Sequence, residues 1–164
     1  MTESLSDLRC VVLGAGGFLG SNLCRHLRGR GAQVRAFGRR MSFPDALVGM
    51  EWLPGQFEDT NTVAAAISGC DVAFHLINTS TPASANADKV ADLQANVAAT
   101  LRFLDACKAE RVGRVVFVSS GGTVYGIPDQ IPTPETAQTD PITAYGVSKL
   151  AVEKYLHVYE HLHG

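Results

Sequence analysis

Near the end of this 164-residue sequence stands Tyr145-Gly146-Val147-Ser148-Lys149. A Tyr and a Lys four residues apart share one face of a helix. A phenol whose ordinary pKa is near 10 is a poor base at neutral pH. An ammonium one turn away favours the phenolate and brings that value down. Such a pair can take a proton from a hydroxyl group. A surface Tyr beside a solvated Lys would have the same spacing, so the weight falls on the elements that carry the pair.

The second candidate lies at the other end of the chain. Gly14-Ala15-Gly16-Gly17-Phe18-Leu19-Gly20 follows the apolar run Cys10–Leu13, and Gly14, Gly17 and Gly20 are spaced GxxGxxG. Gly14 permits a tight turn, Gly17 lets backbone approach a pyrophosphate, and Gly20 lets a helix sit close to a sheet. The helix N-terminus then offers free N–H groups to the phosphates. Phe18 and Leu19, between the last two glycines, join the cofactor-binding set. Glycines alone mark many turns; a strand–turn–helix context points to a dinucleotide. With that cofactor in place, Tyr145 would accept the hydroxyl proton while hydride leaves the same carbon for nicotinamide C4. Lys149 would also hydrogen-bond the nicotinamide ribose.

Val34-Arg35-Ala36-Phe37 runs into Gly38-Arg39-Arg40, where a carboxylate would read the ribose of NAD. None is present. Arg39 and its neighbour can accept a 2′-phosphate, or they are a solvated loop. Both NAD and NADP remain open.

These residues need a scaffold that brings strand ends together. Short β-branched runs alternate with amphipathic segments, the signature of βαβ units and a parallel sheet. The strands are read as Cys10–Leu13, Gln33–Phe37, Met50–Leu53, Val72–Leu76 and Val115–Ser119. Their continuous apolar character suits strands covered on both faces. Helices are read over Phe18–Arg28, Asn61–Ser68 and Ala87–Glu110, the last with Val90, Leu93, Val97, Leu101 and Leu104 on one stripe. A final helix starts at Asp140-Pro141, with Asp as N-cap and Pro at the first position. Gly146 inside it costs about 1 kcal/mol relative to Ala, which fits a close ligand approach. Gly121–Thr139 reads as a long functional loop. Right-handed crossovers give an α/β fold, a doubly wound, Rossmann-like parallel sheet in the order 3-2-1-4-5, and residues 1–164 read as one dinucleotide-binding domain.

Taken together, several segments resemble the NAD-dependent epimerase/dehydratase family, the extended short-chain dehydrogenase/reductases that include the UDP-glucose 4-epimerases. They are the glycine turn, Asp71-Val72-Ala73-Phe74-His75-Leu76, Asn96-Val97-Ala98-Ala99-Thr100, Ser119-Ser120-Gly121-Gly122-Thr123-Val124-Tyr125-Gly126 and Tyr145-x-x-x-Lys149. The resemblance implies an isomerase or oxidoreductase acting on a UDP- or dTDP-linked sugar. It places Asn96 toward the cofactor, Leu76 to Ser80 (Asn78 among them) along the pyrophosphate and nicotinamide ribose, and Gln56 and Phe57 by the adenine. Gln56 departs from the family, which often has Asp there. Gly121 is the larger departure, because the family usually carries a catalytic Ser or Thr at that position. Ser120 or Thr123 would then supply the hydroxyl, or they only cap the turn. The resemblance also implies a later strand and a substrate lobe beyond Gly164, and a homodimer through the two long helices. A non-catalytic dinucleotide-binding module, or a degenerate family member, is the competing function.

Composition narrows the setting. Charged residues make up 18% and the net charge is −2 with mixed signs, which gives no field to gather nucleic acid or an anionic membrane. Met1-Thr2-Glu3-Ser4-Leu5-Ser6-Asp7 lacks the pattern of a secretory leader. Cys10, Cys24, Cys70 and Cys107 form no metal-ligand spacing and read as buried reduced thiols of a cytoplasmic protein. His157 and His161 have i, i+4 spacing without a completing carboxylate pattern, so they read as a solvated helix end and no metal is expected.

Overall fold

The continuous apolar runs become inner strands because both their faces are covered. β1 (Arg9–Leu13) is buried at every position but the first. It lies between β2 (Gln33–Gly38) and β4 (Val72–His75), with Cys10 opposite Val34 on one side and Val72 on the other. β3 (Glu51–Pro54) and β5 (Arg114–Phe117) complete a parallel sheet in the order β3-β2-β1-β4-β5. The doubly wound, Rossmann-like order is therefore the expected one. The structure, a computed structural model, describes residues 5–164. Met1–Ser4, which open the stretch read as free of a leader pattern, lie outside the described residues.

The chain divides into two compact units. One holds the residues up to Ile77 together with Arg102–Val118; the other holds Asn78–Leu101 together with Ser119–Gly164. In the first, α1 (Phe18–Gly29) and α2 (Thr60–Ile67) alternate with the strands. The Asp59 carboxylate caps α2 by accepting from the N–H groups of Asn61 and Thr62. Arg35 closes the other end of α2, donating to the carbonyls of Ala66 and Ser68 at 2.9 Å each while its Nε meets Glu51 at 2.8 Å. A cation at a helix C-terminus satisfies the last carbonyls and the dipole together. Val11, Val12, Leu13, Phe37, Ile67 and Phe103 are fully buried. All four cysteines are free and buried, as read. Among the described residues no helix is long and apolar enough to cross a membrane.

Five readings need correction. The helix expected over Ala87–Glu110 is interrupted. A short α3 (Pro82–Ala87), capped by Thr81, ends at the extended Asp88, which itself caps α4 (Lys89–Asp92). A π turn (Leu93–Ala98) then leads into α5 (Ala99–Ala109). The proposed apolar stripe is broken as well: Val97 and Leu104 are buried, but Val90 and Leu93 are 67% and 54% exposed. The inward row at that end is polar, built from Asp92, Asn96 and Thr100. Hydropathy periodicity cannot see a buried polar row.

The last helix, α7 (Ala144–His163), begins three residues later than expected. Its N-cap is Thr143, whose hydroxyl accepts from the Gly146 N–H at 3.1 Å. Asp140 stays in the preceding loop, its carbonyl packed against Gly126. The loop read as Gly121–Thr139 opens with one helical turn, α6 (Gly121–Val124). Finally, β5 is an edge strand bonded to β4 alone among the described residues. Val116 is 38% and Val118 is 40% exposed, so this apolar run is not covered on both faces.

Candidate functional site

In the first unit the glycine turn is fastened to the end of β2. The Gly14 and Ala15 N–H groups donate to the Phe37 carbonyl, and the Ser42 N–H donates to the Gly16 carbonyl. Gly14 takes φ +89°, the left-handed region that favours glycine. A Cβ on Gly20 would fall 2.2 Å from the Gly14 oxygen, so the close approach of α1 to the turn requires glycine there. Gly17 is different: its Cβ would meet only the Gly14 oxygen, at 3.5 Å. The surface above Gly17 is open, and Phe18 and Leu19 beside it are 68% and 60% exposed. No side chain caps the first turn of α1 and no acidic residue stands in it. Its N–H groups and the helix dipole therefore present an uncancelled attraction for an anion. A dinucleotide pyrophosphate fits that arrangement.

Gly16 was not singled out from the sequence, yet it is the tightest position. A Cβ there would lie 1.8 Å from the Arg40 carbonyl oxygen. This contact draws the Gly38–Arg40 loop onto the turn and sets Arg39 beside it. Arg39 and Arg40 are both exposed, and neither makes an ion pair among the described residues. Leu76 is half-buried, donates its N–H to the Leu13 carbonyl, and its backbone touches the turn at Gly14. Gln56 is exposed, whereas Phe57 is buried against His75 and Phe103, with ring centroids 4.7 and 5.8 Å away.

In the second unit α7 presents Tyr145 and Lys149 together. The Lys149 Nζ lies 5.8 Å from the centre of the Tyr145 ring. Lys149 is buried, with 6% exposure. Burial pushes its ammonium down to about 8, while the Asp92 carboxylate pulls the other way. Asn96 is buried too, and its side chain is fully engaged. Its oxygen accepts from the Thr79 N–H and hydroxyl, and its nitrogen donates to Asp92 and Ser80. The Asn78 amide donates to the Ser80 carbonyl at 2.6 Å.

Gly146 has another explanation than the one its residue type suggested. A Cβ there would meet the Thr123 carbonyl oxygen at 2.7 Å and Pro141 at 2.9 Å. The glycine serves close packing of α7 on the α6 turn, not the approach of a ligand.

Residues 10–164 match the model of the NAD dependent epimerase/dehydratase family. The chain belongs to that family. A UDP-glucose 4-epimerase of Mycolicibacterium smegmatis is 32% identical over 167 residues, covering 95% of this chain and 52% of the relative. A 2-alkyl-3-oxoalkanoate reductase of Stenotrophomonas maltophilia is 38% identical over 114 residues, or 69% of this chain and 33% of that protein. Among solved structures, the UDP-glucose 4-epimerase of Thermus thermophilus, crystallised with NAD, superposes with a TM-score of 0.88 at 28% identity. That match covers 96% of this chain and 52% of the other. The chain thus spans about half the length of these epimerases.

Against the family pattern, the departure at Gly121 is an open one. A Cβ on Gly121 or Gly122 would meet nothing within 4 Å. Of the two hydroxyls read as substitutes, Thr123 donates to the Ser120 carbonyl at 3.2 Å. Ser120 is the N-cap residue of α6, but its side chain makes no capping bond. Ser119, one residue earlier, donates to Glu153 of α7. His157 and His161 lie on the exposed end of α7, where His157 faces Glu160 at 3.8 Å. What the sequence reading missed in this family member is Asp92 and Ser148. Both are buried polar residues, and they are joined at 2.5 Å.

Proposed function

We propose that this chain is the cofactor-binding part of an NAD(P)-dependent epimerase or dehydratase acting on a nucleotide sugar. The supporting observation is a Tyr on α7 with a buried lysine ammonium 5.8 Å from its ring, in a member of this family. The residues suit the cofactor: an uncapped α1, an open Gly17 and a left-handed Gly14 receive its phosphates. A nicotinamide bound there would supply the hydride acceptor, and then the hydride donor, for the substrate carbinol.

The chain's own residues handle the proton. Tyr145, as phenolate, takes the proton of the substrate hydroxyl and later gives it back. The Lys149 ammonium stabilises that phenolate and would hold the nicotinamide ribose by a hydrogen bond. Thr79 to Asn96 bonding holds the segment after β4, along which Asn78 and Leu76 follow the cofactor. Arg39 is assigned to the adenosine end with Gln56 and Phe57. Incubating the intact protein with UDP- and dTDP-sugars and recording transient nicotinamide absorbance tests this reading. Absence of any signal across the panel favours the non-catalytic binding module, for which the missing hydroxyl at Gly121 is the supporting feature.

Ser120 is the better candidate for holding the substrate oxygen, because the Thr123 hydroxyl is already engaged. Ser120→Ala should lower kcat by about 10²-fold, the usual effect of removing one such donor, and Thr123→Ala should change it less than about twofold. The reverse pattern would move the role to Thr123, and two silent variants would leave both as turn residues.

Cofactor choice rests on Arg39, exposed and making no ion pair among the described residues. If it clamps a 2′-phosphate, Arg39→Ala should weaken NADP by about tenfold or more and leave NAD unchanged. Calorimetric titration of both dinucleotides decides this, and equal affinity losses would refute the clamp. Homodimerisation is part of the same proposal. Val90, Leu93, Val147, Val158 and Leu162 are exposed apolar residues of the second unit, and they want a cover.

A further inference from the structure

Asp92 is a buried carboxylate that the mechanism above does not use. At 4% exposure it would carry a large desolvation cost if left alone. It is not alone: one oxygen accepts from the Ser148 hydroxyl at 2.5 Å, and the other from Asn96 Nδ2 at 2.8 Å and from the Ser80 hydroxyl. Ser80 lies in the segment after β4, and Ser148 immediately precedes Lys149 on α7. The carboxylate therefore ties three segments of the second unit at the point where Lys149 is buried. It stands at the start of the π turn, a distortion often found at functional sites.

We infer that Asp92 is a positioning residue of the proposed site, clamping Ser148 and Ser80 so that Lys149 is held as a buried cation beside Tyr145. The inference rests on the reading of Tyr145 and Lys149 given above. Burying opposite charges near one another seldom adds net stability over well-packed apolar side chains, but it can specify one arrangement. The charges on the other elements in closest contact with α7 are these. α3, α6 and the π turn, which pack on α7, carry no charged side chain. At the start of α4, Asp88 caps Ala91 and Lys89 donates to the Asn86 carbonyl, both exposed. On α7 itself Glu153 is engaged by Ser119, and Lys154 is exposed. Asp92 is the charge that offsets the burial of Lys149, which otherwise drives the ammonium to lose its proton.

The test is the titration of Lys149 in the intact protein carrying ¹³Cε-labelled lysine, with its signal identified by loss in Lys149→Met. Wild type should titrate near 8. In Asp92→Asn, which keeps the shape and removes the charge, the midpoint should fall by about one unit, and Asp92→Glu should restore part of it. An unchanged midpoint in a folded Asp92→Asn protein overturns the inference. Should that variant not fold, Ser148→Ala and Ser80→Ala decide: a lower Lys149 midpoint in either supports the clamp, and no change in both overturns it. Failure of the Tyr145 reading shows separately, as unaltered turnover in Tyr145→Phe.

Discussion

Turnover by Tyr145→Phe will fall by a factor of about 10²–10⁴, the range for losing a positioned general base, with dinucleotide affinity and thermal stability unchanged. The substitution removes one oxygen from a half-buried residue whose hydroxyl makes no hydrogen bond among the described residues. No internal partner is orphaned, so the usual cause of large destabilisation is missing. The ring stays in place beside Lys149, and the cation keeps its position. Single-turnover absorbance of the reduced nicotinamide, recorded for both proteins with the best sugar of the panel, reads the effect directly. Equal rates would remove Tyr145 from the chemistry and leave the family membership untouched.

The second large effect separates two adjacent glycines. Gly16→Ala will destabilise the protein by about 2–3 kcal/mol or more, because the added carbon would stand 1.8 Å from a backbone oxygen. Backbone cannot rotate aside as a side-chain end can, so the turn or the Gly38–Arg40 loop must move. Gly17→Ala should leave stability within about 0.5 kcal/mol of wild type, as at ordinary surface positions. Its methyl meets only one atom at 3.5 Å, but it would stand in the proposed path of the pyrophosphate, and on that proposal dinucleotide affinity should drop. Denaturant unfolding and calorimetric titration of the two variants give four numbers. A destabilised Gly17→Ala, or a Gly16→Ala as stable as wild type, would contradict this account of the turn.

The parts of the proposed site legible in the sequence are those carried by local rules. Gly14, Gly17 and Gly20 follow from what a strand–turn–helix needs at a phosphate, and Tyr145 and Lys149 follow from helical spacing. Residues engaged across long sequence separations were not legible. Ser148 and Asp92 are 56 residues apart, and neither type is unusual where it stands. Gly16 looks like one more glycine until Arg40 is brought against it. Gly146 misled because the cost of glycine in a helix is visible in sequence, whereas the neighbour that demands it is not.

By itself, the sequence determined the alternation of strands and helices, the parallel order of the sheet and the family. Each depends on periodicity and on motifs whose members lie within a few residues of one another. Tertiary structure alone decided where α7 begins, the interruption of the long helix by Asp88 and the π turn, and the polar row of Asp92, Asn96 and Thr100 facing inward. Buried polar groups are stable only with partners, and the partners come from distant segments that meet when the chain has folded.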